Sequence, residues 1–66
     1  MTRDQAAQRL TGKRTKWFVA PVKDQKFETW AVEGGGHELL GYIATLGDDI
    51  WYWNHPAKTG EEWREL

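Results

Sequence analysis

Hydrophobic positions change their period as the chain proceeds. Over residues 2–11, Ala6, Ala7 and Leu10 recur at helical spacing among polar neighbours. Thr2 with Gln5 three residues later has the form of a capping box. Asp4 suits the positive end of a helix and Arg9 the negative end. Gly12 follows, a residue that ends helices because it turns left-handed without a Cβ clash. The spacing predicts a short N-terminal helix with a thin apolar face.

From Trp17 onward the period shortens to two. Trp17-Phe18-Val19-Ala20-Pro21-Val22 reads as a strand, and Pro21 places it at a sheet edge or ends it, since proline donates nothing to a ladder. Lys23-Asp24-Gln25-Lys26 is a polar turn. Phe27 to Glu33 is a second strand, with Glu28, Trp30 and Val32 on one face and Phe27, Thr29 and Ala31 on the other. The triple glycine at 34–36 is a hairpin loop or a bulge. Glu38 to Leu46 is a third strand. Strict alternation sets Leu40, Tyr42, Ala44 and Leu46 against Leu39, Gly41, Ile43 and Thr45. Gly47-Asp48-Asp49 is the strongest turn signal, because Gly and Asp tolerate the positive φ values of hairpins. Ile50-Trp51-Tyr52-Trp53 is a fourth strand of high β propensity, and Asn54-His55-Pro56 ends it. Thr59 with Glu62 has the form of a second capping box, predicting a short C-terminal helix that brings Trp63 beside Leu66.

The expected fold is α+β: a small antiparallel meander of three or four strands over residues 16–55, a short N-terminal helix and a short C-terminal helix. Sixty-six residues allow a single domain, 1–66. Residues 1–14 are expected to be a mobile arm, because Ala6, Ala7 and Leu10 bury little apolar surface against the entropy of ordering the segment.

Composition narrows the chemistry. The chain has no cysteine, which removes disulfides, thiolate metal sites and cysteine nucleophiles together. Five Trp, two Tyr and two Phe must then carry most of the core. There is no serine, so no Ser-His-Asp triad can form, and the protein is not expected to be an enzyme. His37 and His55 are the only histidines; a metal site would need both to meet with Glu38, Asp48 or Asp49, and no ligand spacing joins them. Neither a metal nor another cofactor is expected. The triple glycine lacks the Gly-Lys-Ser/Thr ending of a phosphate loop. No apolar run is long enough to span a membrane and the first residues are polar, so a cytoplasmic protein without membrane contact is expected.

Charge separates along the chain. Arg3, Arg9, Lys13, Arg14, Lys16, Lys23 and Lys26 face only Asp4 and Asp24 in residues 1–26, whereas acids dominate thereafter. Such polarity suits either internal neutralisation or a charged partner. Aromatic residues supply the second cue. Trp51 and Trp53 share one strand face and Tyr52 takes the other. So short a helix covers one face only, so either the Trp51/Trp53 pair or Tyr52 is expected to be exposed. Trp51, Tyr52, Trp53 and Trp30 are therefore the candidate partner-binding residues of a non-catalytic protein-interaction domain, a small inhibitor or adaptor. A basic protein surface, such as that of a nucleic-acid-handling enzyme, would complement the acidic half. Self-association as a homodimer is a special case. The alternative is direct nucleic-acid binding, with Lys13, Arg14 and Lys16 on phosphates and Trp17 stacking on bases.

Overall fold

A computed structural model describes residues 1–54 and 63–66. The helix α1 spans Arg3–Thr11. Its capping box is complete: the Gln5 N–H donates to Thr2 Oγ1 at 3.1 Å, and the Thr2 N–H donates to Gln5 Oε1 at 2.8 Å. Gly12 closes it with φ +64°, its N–H donating to the Gln8 carbonyl. Five strands follow: β1 Trp17–Val22, β2 Glu28–Gly34, β3 Leu39–Thr45, β4 Trp51–Asn54 and β5 Trp63–Glu65. They form one antiparallel sheet in the order β1-β2-β3-β4-β5, so chain order is also spatial order. Pro21 accordingly lies on an edge strand.

The sheet has five strands rather than three or four, and the expected C-terminal helix is absent from the described residues. Trp63, Arg64 and Glu65 instead pair with Asn54, Trp53 and Tyr52. The open edge of β4 offers unpaired backbone groups, and a strand satisfies them along its whole length where a helix could not. The signature from Thr59 to Glu62 lies outside the described residues.

Helix α1 packs on one face of the sheet, across β1 and β3. Its contact residues are small: Ala6 and Ala7 are fully buried. Small side chains let the helix approach closely, and the sheet supplies the bulk. Val32 and Ile43 are fully buried beneath it, with Trp51 beside them. Trp17, Val19, Trp30, Trp53, Leu10 and Leu66 pack around this cluster. The Trp30 and Trp51 rings pack with centroids 5.5 Å apart and planes tilted by 35°, a separation within the range of favourable aromatic pairs. The Trp51 indole N–H donates to the Met1 carbonyl at 3.1 Å, and the Met1 ammonium pairs with Asp49.

One irregularity corrects the expected side-chain parity. Val32 pairs with Gly41 but Glu33 pairs with Leu39, so Leu40 is an extra residue in β3. Leu40 packs into the covered core, and Leu39 turns to the open side. Gly41 carries the bulge at φ +155°. A Cβ there would lie 2.5 Å from the Trp53 ring and 2.7 Å from the Asn54 carbonyl oxygen. Only glycine fits this site.

Candidate protein-interaction face

The face opposite α1 is largely apolar, interrupted by Thr29, Glu33, Asn54 and Glu65. By alternation from the covered residues, it presents Phe18, Ala20 and Val22 from β1 and Ala31 from β2. Tyr42 and Ala44 come from β3, Tyr52 from β4 and Trp63 from β5. Phe18, Phe27, Leu39, Leu46 and Trp63 are each 37–43% exposed. Phe27, Ala44, Leu46, Tyr52 and Trp63 enclose a shallow apolar groove of about 120 Å³. Ala44 is its floor, 2% exposed, and the aromatic rings are its walls. Small floor and large walls are what make it concave. None of the described elements covers this face.

The candidate residues divide between the faces. Trp51 is buried, and Trp30 and Trp53 are half-buried around it on the helix side. Tyr52 alone of the four lies on the open side. Period-two alternation sets Trp51 and Trp53 opposite Tyr52; it does not place Trp30 relative to them and carries no sign of which side the helix chooses. Phe27, Leu46 and Trp63 were missed as binding candidates. Alternation sets Phe27 beside Ala31 and Leu46 beside Ala44 but does not mark that face as the uncovered one, and the capping signature at Thr59 places Trp63 in a helix.

The basic candidates lie elsewhere. Lys13, Arg14 and Lys16 are exposed in the linker between α1 and β1. Arg14 reaches Glu38 at 3.9 Å. Trp17 packs against the covered core.

At the β2–β3 turn, Glu38 organises the glycine loop. Its Oε1 accepts the Gly36 N–H at 3.0 Å, and its carbonyl accepts the Gly34 N–H at 2.9 Å. Hydrogen bonds from its own backbone N–H and from Gly36 hold its carboxyl below the ordinary value, helped by Arg14 and His37. His37 stacks on Phe18 with centroids 5.1 Å apart, and its Nδ1 lies 3.3 Å from Glu33 Oε1. At the β3–β4 turn, the hydrogen bond from the N-terminal ammonium lowers Asp49 similarly. Among the described residues no group of His, Asp and Glu is arranged to hold a metal. No described helix is long and apolar enough to cross a membrane.

Comparison with protein-family models, characterised proteins and solved structures finds no match to this chain.

Proposed function

We propose that this protein is a non-catalytic binding module whose open sheet face engages another protein, in the manner of a small adaptor or inhibitor. The observation that carries the proposal is the groove of Phe27, Leu46, Tyr52 and Trp63 on a face that no described element covers. Exposed aromatic rings with a concave apolar centre are the usual anchors of protein interfaces. Trp30, Trp51 and Trp53 then serve the site from behind, by holding β2 and β4 in place. Nucleic-acid binding through Lys13, Arg14 and Lys16 has less support, because Trp17, its stacking ring, is committed to the core.

Affinity capture from a native lysate tests the proposal with three forms of the full chain. Proteins retained by the unmodified chain are expected to be lost with Tyr52→Lys and kept with the double substitution Lys13→Glu and Arg14→Glu. Retention that survives Tyr52→Lys but disappears with the double substitution would move the site to the basic linker.

A further inference from the structure

We infer that the open face docks on the same face of a second copy of this chain, related by a two-fold axis running along β3. The inference rests on the binding reading above and names its partner.

Three features carry it. The first is symmetry of layout. β3 is the third of five strands, so a two-fold axis along it lays β1 of one copy across β5 of the other and β2 across β4. Phe18 then faces the partner copy's Trp63 region, and Phe27 the Tyr52 region. Ala31 and Ala44 flank Tyr42 in the middle of the face and Ala20 lies at its β1 edge, so small side chains leave room for the rings when two sheets approach to about 10 Å.

The second is charge. In a meander the charge gradient of the sequence becomes a gradient across the sheet. The turns after β1 and after β3 lie at the same end. The first carries Lys23, Asp24 and Lys26, a net positive turn; the second carries Asp48 and an Asp49 already paired with the Met1 ammonium, and β5 adds Glu65 near that end. Between Phe27 and Asn54 there is no Lys or Arg at all. Lys23, Lys26 and Asp48 make no ion pair among the described residues. The two-fold axis exchanges the basic and acidic sides, so each copy's lysines meet the other's carboxylates. A face-to-face pair with this axis is thus complementary in sign at both margins.

The third is area. The 27 residues of the five strands, at about 3.3 Å each and about 4.8 Å between strands, project to roughly 430 Å². With Phe27, Leu46 and Ile50 beyond the strand ends, two such faces total roughly 950 Å², just under the roughly 1,000 Å² of the smallest specific interfaces.

Sedimentation equilibrium of the full chain from about 1 µM to about 1 mM tests this. The expected mass at the upper end is twice 7.7 kDa. Leu46→Lys should return the chain to monomer mass throughout, with far-ultraviolet circular dichroism verifying the fold. If Leu46→Lys unfolds the protein, the turn charges decide alone. Lys26→Glu and Asp48→Lys should each weaken association roughly threefold, and the combination should restore it. A monomer at every concentration overturns the inference, as does a dimer indifferent to both Leu46→Lys and the charge swaps. A monomer that still captures a foreign protein through Tyr52 refutes the second copy and leaves the binding reading standing. Failure of both experiments removes both.

Discussion

Trp51 and Tyr52 are neighbours in the chain and live in opposite surroundings. Trp51 is buried under Met1 and α1, its indole N–H satisfied by the Met1 carbonyl. Tyr52 forms a wall of the open groove. The two faces of the sheet draw on the same residue classes, aromatic and β-branched or small. What separates them is the helix. Apolar content therefore does not identify a core here; the position of one nine-residue element does.

The largest effect should come from the covered side. Trp51→Ala is expected to lose roughly 3–5 kcal/mol, enough to unfold much of the population of a domain this small. Leu46→Lys on the open side should change stability by about 0.5 kcal/mol or less. Urea melts of both variants make the comparison, and equal losses would abolish the distinction between faces. Gly41→Ala tests the boundary between them. The strained φ and the contact with the Trp53 ring should cost roughly 1–3 kcal/mol. A neutral result would mean that the bulge does not hold Leu40 inside and Leu39 outside.

That bulge also marks where sequence reading stopped. The helix was legible because Thr2, Gln5 and Gly12 carry their own end signals. The β3–β4 turn was legible because Gly47 and Asp49 both take positive φ. Alternation puts Leu39 and Leu40 on the wrong faces because it assumes an unbroken ladder, and nothing around them announces an extra residue. A local cap signature predicts a helix at Trp63, whereas the open edge of β4 decides its conformation. The groove could not be read at all, since Phe27, Leu46, Tyr52 and Trp63 meet only through strand register.

The helix itself offers a smaller test. Its own apolar side chains are few, yet it shields the indoles of the sheet, so its burial is shared rather than self-supplied. Thr2→Ala should cost about 1 kcal/mol by removing the N-cap acceptor. Amide exchange should show Ala6 and Ala7 opening before Ile43, and opening sooner still in the variant. Equal protection in both forms would make α1 inseparable from the sheet rather than a mobile arm.

The smallest expected effect is electrostatic. Because the folded-state pKa of Glu38 is depressed, its contribution is present above the ordinary value of 4.5 and is lost as pH falls through the lower folded value. Exchange of the Gly36 amide should accelerate over that interval relative to Ile43. Glu38→Gln should flatten the dependence. An unchanged profile would show that the glycine loop does not rely on the carboxylate.

The edges of the sheet limit how this protein can polymerise. A flat apolar face beside a long unpaired strand is the usual template for fibrils. Here one edge strand contains Pro21, which presents no N–H to an incoming strand, and the other, β5, spans three residues among those described. Neither edge, as described, offers a long continuous ladder. Growth by strand addition is thereby discouraged at both ends of the sheet. Exposed aromatic surface can then remain available without committing the molecule to open-ended aggregation.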